Sequence, residues 1–166
     1  MAQTLPRGDV RSAYDRYEDL AAEQARSSWV LQRMQTERQR WPHSLEDGQQ
    51  RPPFLPAHSE RELGKAMVNP LKVLTTGVER ECRTPFYAGG KWRFVQRVAW
   101  WNEYAEASAV VVGHYWRRML TGDAAAHGPQ AENLFGHTGP LDWLGARGIV
   151  FCVDYSVGAR GAARRN

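Results

Sequence analysis

Residues 110–118 read Val-Val-Val-Gly-His-Tyr-Trp-Arg-Arg. Three β-branched residues in a row favour a strand. A short run that is apolar throughout suits a strand covered on both faces. The run ends in Gly113-His114, and the histidine is followed by aromatic and cationic side chains. The reading is a buried strand over residues 109–113 that delivers the imidazole of His114 to its C-terminal end. Ligands of α/β sheets gather outside the carboxyl ends of strands, and Gly113 permits unusual backbone angles and close approach of a ligand. A lone histidine beside a strand is also commonly a satisfied core residue, and spacing alone leaves both readings open.

A second apolar run, residues 149–153, lies between Gly148 and Asp154. Its length and composition match the first, so the two are predicted to be adjacent strands of one sheet. Asp154 reads either as a turn or cap carboxylate or as part of a site at the strand end.

Before these strands the pattern is helical. Residues 9–40 are predicted as one long helix, with Asp9 as N-cap. Tyr14, Tyr17, Leu20, Ala21, Leu31 and Met34 form its apolar stripe, which weakens around Gln24 and Ser27. Trp41-Pro42 ends it. Arg26, Arg33, Glu37, Arg38 and Arg40 read as a solvated face. Residues 43–58 form a linker containing Pro52, Pro53, Pro56 and Gly48. Ser59 is predicted to cap a short helix to Met67, with Glu62 completing a capping box. Asn69-Pro70 breaks that helix, and residues 71–76 fit a strand or a second short helix equally. Residues 85–90 read as a turn, 91–101 as a strand and 121–139 as irregular. The predicted organisation is thus 1–58, helix and proline-rich linker; 59–160, the main domain; and 161–166, a basic tail.

Composition narrows the class. Hydrophobic residues at 42% and charged residues at 24% fit a soluble globular chain with its own core. Six of the seven tryptophans lie beyond residue 40, which places the aromatic core C-terminally. Trp92, Trp100, Trp101, Trp116 and Trp143 read as core or pocket wall. The charge of +4 owes much to Arg160, Arg164 and Arg165. These read as a solvated terminus, because no interleaving of basic and aromatic residues accompanies them, which argues against nucleic acid as a partner. Cys82 and Cys152 form no Cys-x-x-Cys pair, which excludes a cysteine-rich zinc module and suggests a reducing compartment. No apolar stretch approaches membrane-spanning length and the N-terminus has no signal-like apolar region. The expected location is cytoplasmic, without membrane association.

Several blocks resemble one enzyme family. Gly113-His114-Tyr115-Trp116-Arg117 after its valine run is similar to the late Gly-His motif of calcineurin-like metallophosphoesterases. Residues 148–158, Gly-Ile-Val-Phe-Cys-Val-Asp-Tyr-Ser-Val-Gly, are similar to the strand that follows it. Residues 69–77, Asn-Pro-Leu-Lys-Val-Leu-Thr-Thr-Gly, and 85–94, Pro-Phe-Tyr-Ala-Gly-Gly-Lys-Trp-Arg-Phe, resemble a bacterial subgroup. The resemblance spans roughly residues 69–160. It implies an α+β chain, the C-terminal part of a β-sandwich with flanking helices. It also implies phosphate-ester hydrolysis by two divalent ions (manganese, iron or zinc) about 3.5–4 Å apart. By motif match His114 is the metal-binding histidine. Asp154 is a carboxylate that orients the site without touching metal, and Arg117, Lys91 and Arg93 are candidate phosphate contacts.

The early motifs of that family, Asp-x-His, Gly-Asp-x-x-Asp and Gly-Asn-His-Glu, do not occur in this sequence. Gly8-Asp9 and Gly122-Asp123 lack the second aspartate, and none of the four asparagines precedes His-Glu. The resemblance therefore implies a C-terminal portion, with the missing N-terminal half as a partner and a phosphorylated substrate for the whole. The chain alone is expected to hold neither ion tightly and to be inactive. The alternative is a non-catalytic binding or regulatory protein on a degenerate scaffold. Gly136-His137-Thr138 is read as a decoy, and His43, His58 and His127 as solvent-exposed.

Overall fold

A computed structural model of the chain describes residues 8–115, 117, 134–136 and 138–155. The chain is mixed α+β and divides into two compact units, the first ending at Gln96 and the second beginning at Arg97. Among the described residues no helix is long and apolar enough to cross a membrane.

The first unit begins with α1, Val10–Ser27, and Asp9 caps it as predicted, its carboxylate accepting from the Arg11 amide at 3.0 Å. The single long helix is not what forms. The chain breaks at Ser28 and Trp29, with Trp29 left-handed at φ 59°, and restarts as α2, Val30–Arg40. Tertiary burial explains the break. Turning back lets Val30 and Met34 pack against Ala25 and against Ala57 of the next helix. The weak stripe at Gln24 and Ser27 lies just before the break.

Helix α3 runs Pro56–Met67, starting four residues earlier than predicted, with Leu55 rather than Ser59 at its N-cap and proline in its first turn. Its cap comes from another element. The Glu37 carboxylate of α2 accepts from the amides of Ala57 and His58, at 2.6 and 3.1 Å, and meets His58 Nδ1 at 2.6 Å. His58 is therefore buried and paired with a partly buried Glu37, and neither belongs to a solvated surface. Ser59 forms no capping box. Its hydroxyl donates to the Phe94 carbonyl at 3.0 Å, and Glu62 accepts from the Phe94 amide at 3.2 Å, which seats α3 on the following sheet.

Residues 71–76 are helical, within α4, Pro70–Thr76. Asn69 decides this, because its Oδ1 accepts from the amides of Leu71 and Lys72. Its Nδ2 donates to Tyr14 O and Glu18 Oε1, tying α1 to the same point.

Strands β1, Glu79–Ala88, and β2, Lys91–Arg97, form a two-stranded antiparallel sheet. Gly89 and Gly90 both have positive φ, 60° and 78°, as a tight two-residue hairpin turn requires. The predicted turn at 85–90 thus shrinks to these two residues. The predicted strand at 91–101 stops at Arg97, and Trp100–Glu103 is a 3-10 turn. The linker is stitched to the hairpin: Trp92 N donates to Leu45 O, Trp92 Nε1 to Asp47 O and Tyr87 OH to Glu46 O, each at 2.8 Å.

The second unit packs around Trp101. Phe135 stacks on it with ring centroids 5.5 Å apart, Tyr115 meets it edge-on at 5.0 Å, and Leu144, Val150 and Cys152 complete the cluster. Trp101 sits so close to the turn at Gly145 (φ 82°) that a Cβ there would lie 2.5 Å from its carbonyl oxygen. Strands β3, Val110–Val112, and β4, Val150–Cys152, pair in parallel with Val110 opposite Val150 and Val112 opposite Cys152. Adjacency holds as predicted, but coverage on both faces does not. Val150 and Cys152 are buried, whereas Val111 is 63% exposed and Val153 54%. The reason is that core material lies on one face of this short pair. Trp92, Phe94 and Trp101 are buried, while Trp143 is exposed. His127 and Trp116 lie outside the described residues.

Glu37→Ala would leave two helix-end amides and His58 Nδ1 without their acceptor. A loss of about 2 kcal/mol is expected, against less than about 0.5 kcal/mol for exposed Glu23→Ala. Urea denaturation of both variants checks this, and equal effects would contradict the capping role.

Candidate functional site

The parallel ladder does not end with β3 and β4. Val153 N donates to Val112 O at 2.9 Å, and Arg117 N donates to Asp154 O at 2.7 Å. The backbone leaves the ladder after Val112 and is back on it at Arg117. Gly113 and His114 lie in this excursion at the C-terminal end of β3, as predicted, and Asp154 lies at the matching end of β4.

His114 carries the excursion. It is exposed and its φ is 65°, in the left-handed region. Gly113 does not use its conformational freedom in this way, and a Cβ added there would meet open space. A non-glycine residue in this region is uncommon, though histidine tolerates it better than most. Such strain persists only where the surroundings hold it, often at functional positions.

The electrostatics favour a neutral ring. Partial desolvation lowers the His114 pKa, the Arg97 guanidinium lowers it further, and the Asp154 carboxylate opposes both. A neutral imidazole can ligate a cation without first losing a proton. Arg97, which also lies over the Tyr115 ring at 5.6 Å, was not legible as a neighbour of His114. It stands 17 residues away in the sequence and belongs to no motif. Burial pushes the Cys152 thiol pKa up, leaving an unreactive thiol.

Arg117 is turned inward. It is 1% exposed, donates through Nη2 to the carbonyls of Gly139 and Asp142, and lies over the rings of Phe135 and Phe151 at 5.6 and 5.4 Å. In this conformation it offers nothing to a ligand in solvent. Lys91 and Arg93 belong to the hairpin of the first unit. Lys91 Nζ is 3.4 Å from Glu62 Oε1, and Arg93 Nε donates to Ala88 O at 3.0 Å. Of the five sequence-predicted residues, the structure brings together His114, Asp154 and the backbone of Arg117. Of the decoy motif, His137 lies outside the described residues.

Among the described residues no group of three or more His, Cys, Asp or Glu side chains stands together to hold a metal ion. One imidazole with one carboxylate does not fit a two-ion centre, and no reaction step is derived through one. No family model, curated protein or solved structure matches the chain.

Above about pH 6.5 the imidazole is neutral in both the folded and the unfolded chain. As pH falls below that value the unfolded chain takes up the proton first, so His114 reduces stability until its lowered folded pKa is passed. NMR titration of the His114 ring should give a midpoint below about 6.5, and a midpoint above it would contradict the electrostatic picture. His114→Gly relieves the left-handed backbone and is expected to raise the unfolding free energy by up to about 1 kcal/mol. A loss of more than about 2 kcal/mol would identify the imidazole as a packing residue instead.

Proposed function

We propose that this chain is the C-terminal portion of a calcineurin-like metallophosphoesterase, contributing His114 to a site whose other ligands come from outside these residues. The observation that carries the reading is the placement of a strained, exposed histidine at the end of a parallel strand, with a carboxylate at the matching end of its neighbour. In the complete site the ions would be manganese, iron or zinc, and they would supply Lewis acidity toward a phosphate ester. His114 holds a neutral nitrogen ready to bind, and Asp154 biases the ring electrostatically. Strands β3 and β4 would be two strands of the larger β-sandwich. A cytoplasmic setting accords with the two free thiols, Cys82 and Cys152.

The second reading is a non-catalytic binding protein on the same scaffold. It is favoured by the lack of a three-ligand group among the described residues. The two part experimentally when the chain is fused behind a segment carrying Asp-x-His, Gly-Asp-x-x-Asp and Gly-Asn-His-Glu.

The chain alone is expected to show no turnover of p-nitrophenyl phosphate with manganese, because one histidine cannot hold two cations. The fused protein is expected to turn over, His114→Ala to abolish that activity, and Asp154→Asn to weaken metal affinity by about 10- to 100-fold. Robust turnover by the chain alone that disappears in His114→Ala would overturn the fragment reading. A folded fusion that neither binds metal nor hydrolyses ester would favour the binding protein.

A further inference from the structure

The local sequence favours a helix where the structure has a turn. From Val10 to Arg40 there is no glycine or proline, yet the chain reverses at Ser28 and Trp29. Trp29 occupies the left-handed position that normally closes a helix with glycine. It is bulky, its side chain makes no capping hydrogen bond, and it is 64% exposed, so little burial offsets the strain.

Beneath the reversal is an open cleft of about 370 Å³, lined among others by Ala21, Ala25, Ser28, Val30, Arg61 and Gly64. Ser28 of the hinge thus borders open space, while Val30 just after it stays packed against Ala25 and Ala57. The arm that the hinge carries is lightly held. The buried residues of α1 are three alanines, Ala13, Ala21 and Ala25. Its polar ties to the rest of the unit run through Asn69 to Tyr14 O and Glu18, Lys72 to Glu18, and Arg61 to Ala21 O. Each is specific, and each would be left unmet if α1 departed. Asn69 is fully buried and needs a partner for its amide.

These facts define an exchange. If Trp29 relaxes to right-handed geometry, α1 and α2 become one helix and α1 leaves its seat. The seat then accepts the identical α1 of a second copy, which restores the alanine contacts and the Asn69 bonds. We propose that Ser28 and Trp29 form a hinge through which two copies of this chain exchange α1 reciprocally. Short hinges under strain favour such swapping, because the opened form keeps every interface and loses the strain.

The test is the dimerisation constant of the full chain, by sedimentation between micromolar and hundred-micromolar concentration. Trp29→Gly makes the turn comfortable and holds the monomer. The double variant Ser28→Ala/Trp29→Ala favours the continuous helix and drives the dimer. The double variant is expected to dimerise at least tenfold more strongly than Trp29→Gly, in line with the left-handed penalty of a side chain. If either fails to melt cooperatively, Trp29→Asn and Ser28→Ala take their places and the same inequality must hold. Equal constants within twofold would overturn the proposal. So would loss of that difference after Asn69→Ala, because the Asn69 bonds are made in both the closed and the exchanged form and their removal cancels. Association through the exposed β3–β4 face would leave all of these variants alike, so the outcome is independent of the phosphoesterase reading.

Discussion

The parallel pairing of Val110–Val112 with Val150–Cys152 is the constraint on which the second unit depends. Parallel strands point the same way, so the residues that follow each of them emerge together. The bonds from Val153 to Val112 and from Arg117 to Asp154 then fix both ends of the excursion that contains His114. The strand register brings the histidine to the same end of the pair as Asp154. The core beneath is anchored by Trp101, whose stacked partner Phe135 also receives the Arg117 guanidinium on its ring.

Two non-glycine residues take left-handed geometry among the described residues, and they illustrate different causes. Trp29 takes it where the helix reverses, which lets Val30 and Met34 pack against Ala25 and Ala57 within one chain. His114 is held there by a ladder that closes on both sides of it. In the first case packing overrides local preference, and in the second the pairing of strands does. Both positions store strain of the order of 1–2 kcal/mol, a substantial amount for a domain of ordinary stability.

Much of the second unit was legible in the sequence. A β-branched run next to Gly-His, and a matching run before Asp154, led to two adjacent strands with the histidine at an end. Their partial exposure was not legible, because an apolar run reports what a strand would bury and not whether a covering layer is present. The inward turn of Arg117 was not legible for a related reason, since an arginine after a strand end gives no sign that carbonyls of Gly139 and Asp142 will draw it inward. In the first unit the break at Trp29 left no local signature, as glycine and proline are both missing there. The Glu37–His58 pair joins residues 21 apart on different helices, and each taken alone resembles a surface residue.

The role assigned to His114 is tested most directly by paramagnetic broadening. Substoichiometric manganese is added to the chain fused behind the three missing motifs, and the spectrum of the ring and backbone is followed by NMR. Selective loss of the His114 imidazole signals, with Val112 and Asp154 next, is expected. Broadening centred on Glu37 and His58, or none near His114 while the metal binds elsewhere, would mean that the strand-end histidine is not a ligand.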